Sequence, residues 1–249
     1  MRILVTNDDG ISAPGLTVLA GILGTRHEVV VVAPDRERSA VSHAITLHVP
    51  LRVTRVDNGA GKMLAVSGTP ADCVKLAITE LLDQAPDLVV SGINPGPNVG
   101  VNLNYSGTVS AAREAAILGF AALAVSVSRH EALHYDTAAR FALRAAEWIE
   151  RERLPRGVFL NVNVPDVPEI EIRGVRYCRQ GRASLEAGFH KRTDPRNQVY
   201  YWQASETQLF GDGPDEDGVA LAEGMIAVTP VKCDMTDHEF LARMEKRGI

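Results

Sequence analysis

A chain of 249 residues, 45% hydrophobic and 23% charged, has the make-up of a soluble globular protein with room for one large core and an appendage. Its formal net charge of -5 offers no basic excess to neutralise phosphate backbones, which excludes general nucleic-acid binding. Cys73, Cys178 and Cys233 are odd in number and far apart, so they are expected to be free thiols in a reducing, cytoplasmic setting.

Short apolar runs alternate with helical patterns along the chain. "RILVT" is a strand, broken at once by Asn7-Asp8-Asp9, so the N-terminus is not expected to be a signal peptide. "SAPGLTVLAGILG" follows as a helix, with Ser12 the expected cap and Pro14 in the first turn. "HEVVVVAPD" lacks polar alternation and predicts a strand buried on both faces. "LRVTRVDNGAGKMLAVSG" predicts a hairpin turning at Asn58-Gly59. In "TPADCVKLAITELL", Thr69, Pro70 and Asp72 carry the start signals of a helix. Strand "DLVVSG", helix "SGTVSAAREAAILG", strand "FAALAVSV", a helix opening at Asp136 and strand "VFLNVNVP" complete the core. The expected fold is therefore α/β, with a mainly parallel sheet and helices on both faces.

After Pro165 the pattern changes. "IRGVRYCRQ" and "QVYYWQA" predict strands separated by a polar, turn-rich stretch, giving an extended β arm, in which Tyr200 to Trp202 would pack within the arm or between subunits. "GVALAEGMIAVTPV" supplies a short helix and one more strand, and Thr236 would cap a terminal amphipathic helix. We thus expect a core over residues 1–165 and an arm over 166–249, with about 219–232 returning to the core. No later stretch is long enough to span a bilayer, so no membrane partner is expected.

Ligands bind open α/β sheets outside the carboxyl ends of the parallel strands. The residues expected there are Asp8 and Asp9 after the first strand, Ser39 after the second and Asn94 after "DLVVSG". Two adjacent carboxylates repel and raise each other's pKa unless a cation lies nearby. With a hydroxyl and an amide carbonyl they make a hard-oxygen set suited to Mg²⁺, Mn²⁺ or Ca²⁺ rather than Zn²⁺. Ser106, Gly107 and Thr108 open a helix, where free N–H groups, two hydroxyls and a glycine suit a phosphate. Each residue also has a plainer use: Ser39 as a loop serine, Asn94 as a turn former, Ser106 as an ordinary cap.

Three strings are set aside. "GAGKM" lacks the first glycine and the hydroxyl of a P-loop, and "GINPGPNVG" spaces its glycines wrongly for a dinucleotide fingerprint. "HEALH", His130 to His134, matches the zinc-peptidase pattern but falls in a short connection, where its histidines would not share a helical face.

"ILVTNDDGISAPG", "RSAVSHAIT", "GTPADCV", "VVSGINPGPNVG", "YSGTVSAAREA", "NVNVP", "DPRNQVYYW" and "GMIAVTPV" occur in an order that resembles the SurE (stationary-phase survival protein) family of 5′-nucleotidases, over roughly residues 1–232. The resemblance implies a Rossmann-like core and a phosphatase for nucleoside monophosphates that depends on a divalent cation, one Mg²⁺ or Mn²⁺ per subunit. It also implies cleavage of polyphosphate by some members, and a C-terminal arm exchanged in a homodimer or homotetramer. The family's metal ligands fall on Asp8, Asp9, Ser39 and Asn94, and its phosphate-side residues on Asn98, Ser106, Gly107 and Thr108. Asp8 or Asp9 would be catalytic, either beside an attacking water or as the nucleophile itself. One departure is visible: Glu216-Asp217 stands where a Thr-Asp pair is expected. The alternative class is a non-catalytic nucleotide- or phosphate-binding protein using the same sheet edge.

Overall fold

The computed structural model describes residues 1–57, 63–182, 184–186, 188–203, 207–209 and 213–248. The core contains strands β1 (Arg2–Thr6), β2 (Glu28–Pro34), β3 (Val53–Val56), β4 (Met63–Val66), β5 (Leu88–Pro95), β6 (Ala121–Val127) and β7 (Val158–Val164). Its helices are α1 (Pro14–Leu23), α2 (Pro70–Leu76, continued by a π-helical turn Ala77–Leu81), α3 (Gly107–Ile117) and α4 (Tyr135–Glu152). Beyond it come β8 (Val175–Tyr177), β9 (Ser184–Glu186), β10 (Phe189–Thr193), β11 (Val199–Gln203), β12 (Thr207–Leu209), α5 (Asp217–Ala222), β13 (Ile226–Lys232) and α6 (His238–Arg247).

A nine-stranded sheet runs β3-β4-β2-β1-β5-β6-β7-β13-β8. Six adjacent strands, β4 to β7 in that order, are parallel, as continuous apolar runs require when both faces are covered. β3 is antiparallel to β4, as expected of a hairpin, though its expected turn at Asn58-Gly59 lies outside the described residues. Strand alternation sends Ile3, Val31, Val90 and Val125 to a core with α1 and α4. Leu4, Val32, Val89 and Ala124 point to a second core with α2 and α3. The arm forms two separate antiparallel pairs, β10 with β11 and β12 with β9, and the side chains of β10 and β11 are exposed.

The caps divide into one match and three corrections. Thr69 and Asp72 form the expected capping box below Pro70. Ser12 does not cap α1: Ala13 takes that position with no side-chain bond, and Pro14 alone sets the start. Asp136 lies inside the first turn of α4 and pairs with Arg140 at 3.8 Å instead of capping it. Asp237, not Thr236, caps α6 by accepting from the Phe240 N–H. A carboxylate is a stronger acceptor than a neighbouring hydroxyl, which explains the last shift.

The chain order places the topological switch between β1 and β5, since β2 and β4 follow on one side of β1 and β5, β6 and β7 on the other. Gly15 brings the start of α1 against that crevice: a Cβ there would lie 2.3 Å from the Ile93 carbonyl oxygen. Gly15→Ala should therefore lower the unfolding free energy by about 1–3 kcal/mol, the usual range for overpacking, read from urea denaturation midpoints.

Candidate active site

β1 ends at Thr6, and the next three residues turn over the carboxyl edge of the sheet. Asn7 is fully buried and holds this turn by donating its Nδ2 to the Gly10 carbonyl at 3.0 Å. Asp8 is buried beneath the first turn of α3, where its Oδ1 accepts a short hydrogen bond from the Thr108 hydroxyl. An anion at a helix N-terminus is favoured by the helix dipole. Gly107 makes this approach possible: a Cβ there would lie 2.7 Å from the Asp8 Cβ and 2.8 Å from its Oδ2. The glycine thus makes room for the carboxylate of Asp8.

Asp9 is partly exposed, yet its Oδ2 is buried and has no hydrogen-bond partner. Burial first, then the charges of Asp8 and Glu37, raise its pKa from 3.8 to about 7. Asp8 is also raised, mainly by burial, against the opposing hydrogen bonds from the Thr108 side chain and backbone. Among the described residues, neither aspartate has an ion pair. Acidic groups gathered without a cation, one of them with an orphaned buried oxygen, suit a hard divalent ion.

The crossover after β2 closes one side. Arg38 N–H donates to the Asp8 carbonyl at 2.7 Å, and Ser39, one residue on, donates its hydroxyl to Glu37 at 2.6 Å while remaining exposed. Asn94 lies near the end of β5, across the switch crevice, where Ser91 pairs with Thr6 of β1. Its Nδ2 donates to the Gly96 carbonyl at 2.6 Å, so its Oδ1 is the end left without a partner among the described residues. Direct contacts join Asp8, Arg38, Gly107 and Thr108, whereas Asn94 joins them through strand adjacency.

The phosphate-side residues are tightly committed. Ser106 caps α3, its Oγ accepting from the Val109 N–H at 3.1 Å. Asn98 is locked by the buried Asn161 and Asn163 of β7: its N–H donates to Asn163 Oδ1 at 2.8 Å, and its carbonyl accepts from Asn161 at 2.8 Å and Asn163 at 3.0 Å. Its own Nδ2 donates to Ser126 at 2.8 Å.

Sequence reasoning missed Glu37, Tyr135, Asn161 and Asn163. The Tyr135 phenol, at the start of α4, is raised by burial and then by the charges of Asp9 and Asp166. A signal for the asparagines existed, because two amides at i and i+2 in an apolar strand must find partners. The His130–His134 stretch lies before α4 rather than on a helix, and among the described residues no three His, Cys, Asp or Glu side chains are grouped to hold a metal. Nor, among those residues, is any helix long and apolar enough to cross a membrane.

Comparison with known proteins gives consistent results. The family model described as Survival protein SurE matches residues 3–187. The chain is 66% identical over 247 residues to the 5′-nucleotidase SurE of Desulfatibacillum aliphaticivorans, covering 99% of this chain and 98% of that one. It is 48% identical over 247 residues to the 5′-nucleotidase SurE of Geotalea uraniireducens (strain Rf4), with 99% and 98% covered. The crystal structure of the SurE protein from Aquifex aeolicus superposes with a TM-score of 0.86 at 35% identity, covering 99% of both chains.

The raised carboxyls set a pH dependence. Between 3.8 and about 7 the folded Asp9 holds a proton that the unfolded chain has released, so its contribution to stability is present at low pH and lost as pH rises through about 7. With divalent cations chelated, the melting temperature should fall across that window, and Asp9→Asn should flatten the slope in scanning calorimetry.

Proposed function

This chain belongs to the SurE family, and on that premise we propose that it hydrolyses nucleoside 5′-monophosphates to nucleoside and phosphate with the help of one Mg²⁺ or Mn²⁺ per subunit. The observation that carries this reading is the Asp8–Asp9 pair, which has no counter-cation among the described residues: Asp8 is buried against the N-terminus of α3, and Asp9 has a buried Oδ2 without a partner. Asp8, Asp9, Ser39 and Asn94 would hold the cation through oxygen. When bound, the ion supplies charge neutralisation and Lewis-acid polarisation at the phosphoryl group.

The chain's own groups do the rest. A phosphate dianion and the two aspartates repel one another, so the pair admits substrate only with its charge offset. Asp8 takes the Thr108 hydroxyl, and Ser106 takes the Val109 N–H. That leaves the Ser106 hydroxyl hydrogen and the Gly107 N–H to receive a phosphate oxygen at the helix terminus. Asn98, locked on β7, fixes the loop that leads to this terminus.

Water is the nucleophile in this reading, with both aspartates kept for the cation. Its oxygen bonds to phosphorus, the P–O5′ bond breaks, and the 5′ oxygen leaves as the nucleoside hydroxyl with a proton from the water. The terminal phosphoryl of polyphosphate presents the same group and is the second substrate class. We further infer a cytoplasmic homodimer or homotetramer assembled through the C-terminal arm. The free thiols of Cys73, Cys178 and Cys233 and the exposed Phe189, Tyr200, Tyr201 and Trp202 support it.

Phosphate release from AMP or GMP should vanish with EDTA and return with Mn²⁺. Asp8→Asn should lower kcat by about 100-fold or more while the chain stays folded by circular dichroism, in line with the loss of one stabilising charge at a reacting phosphoryl. His130→Ala should retain activity with no loss of bound zinc, which would remove the zinc-peptidase reading of His130 to His134. In single-turnover hydrolysis in ¹⁸O-water, label should appear in phosphate, and label in the Asp8 or Asp9 carboxylate would instead establish an aspartyl-phosphate route.

A further inference from the structure

Asp217 is fully buried, lies outside the site described above, and has no arginine or lysine partner among the described residues. Its carboxylate accepts three backbone N–H groups from three parts of the chain. Oδ1 takes Gly181 at 3.0 Å, where the chain leaves β8 for the arm, and Gly218 at 2.8 Å in its own helix. Gly100 donates to both oxygens, at 3.2 Å to Oδ1 and 3.1 Å to Oδ2. The Gly100 carbonyl is held as well, accepting from Gln180 Nε2 at 2.8 Å. The polar groups of Gly100, which has a positive φ of 55°, are thus both tied to the C-terminal part of the chain.

Gly100 opens the 3₁₀ turn Gly100–Asn104, and that turn leads into α3. Within it, the Asn102 carbonyl accepts from the Tyr105 N–H at 3.0 Å and the Ser106 N–H at 3.1 Å. A displacement of Gly100 therefore reaches the cap of α3 through a short run of hydrogen bonds. Two residues upstream, Asn98 is anchored separately on β7. The loop is thus fastened at two points, one inside the sheet and one at the root of the arm.

We propose that Asp217 is a positioning residue for the phosphate end of the site, holding Gly100 so that the Ser106–Gly107 terminus meets the substrate in register. This rests on the nucleotidase reading above. The oxygen assignments give a selective probe. In Asp217→Asn the carbonyl, in the Oδ1 place, can keep Gly181 and Gly218, but the amide NH₂ then stands donor against donor with the Gly100 N–H, which loses its 3.1 Å acceptor and keeps only the 3.2 Å contact. Arg179→Gln is the matched control: it removes the ion pairs to Asp215 at 2.7 Å and Glu216 at 2.8 Å at the arm root, and leaves every Gly100 contact in place.

Amide hydrogen exchange and steady-state hydrolysis of AMP, measured on the full chain, test the idea. Asp217→Asn should speed exchange over residues 100–106, and Arg179→Gln should not. In the same variant KM for AMP should rise about tenfold or more, with a smaller change in kcat and an unchanged half-saturation for Mn²⁺, as expected when binding geometry and not the cation is disturbed. Equal exchange over 100–106 in Asp217→Asn and the unaltered protein would overturn the proposal, as would a KM shift of the same size in Arg179→Gln. An unaltered protein that hydrolyses no nucleotide would instead refute the nucleotidase reading, and the exchange data would still decide whether Asp217 holds the loop.

Discussion

The architecture turns on a charge problem. Two consecutive carboxylates at the end of a buried strand resist ionisation, and burial is the larger cause for both. Water would relieve them at the surface, but Asp8 is enclosed by α3. Partial relief comes from the Thr108 hydroxyl, from backbone N–H groups and from the positive end of the helix. This relief requires α3 to approach within contact of Asp8, and only a residue without Cβ at Gly107 permits that. Asp9 has only its own backbone N–H to help it, and its orphaned Oδ2 is the remainder that an external cation would balance.

Several neighbouring features follow from holding that strained point in place. Arg38 ties the next crossover to the backbone of Asp8, and Asn7 closes the turn from within. Asn161 and Asn163 replace apolar side chains in β7, at positions that would otherwise face the core with α2 and α3. Burying amides is unfavourable unless they are paired, and both donate to the carbonyl of Asn98, although the buried Asn161 Oδ1 has no partner among the described residues. Polar groups are thus concentrated at the carboxyl edge, while the middle of the sheet stays apolar.

What could be read in the chain followed the range of the interactions involved. The parallel strands were legible because burial on both faces leaves runs such as "VVVVA" with no alternation. The Thr69–Asp72 box was legible because both partners lie within one turn. Asp8, Asp9 and Asn94 could be placed from strand ends alone, since the sheet edge gathers whatever follows each strand. Local competition defeated other assignments: Asp237 displaces Thr236 as the cap, and Pro14 starts α1 without Ser12. The pairings of Asn98 with Asn163 and of Gly100 with Asp217 span 65 and 117 positions, and no periodicity encodes partners so far apart.

The reversal of one strand explains why such a distant pairing exists. β7 ends at the carboxyl edge of the sheet, where Asp8 and Asp9 lie, and β13 pairs with it antiparallel, Ala227 opposite Asn163 and Lys232 opposite Val158. β13 therefore begins at that edge, and α5, which leads into it, must lie there too. Had β13 run parallel to β7, its start would lie at the opposite edge and α5 would be remote from Gly100. An acidic residue at the start of α5 is thus delivered to the loop that carries Gly100 by topology, and the same geometry brings the root of the arm beside it. A C-terminal extension added to a parallel core could take up such a role without altering any strand of that core, because a single antiparallel return suffices to carry it to the working edge.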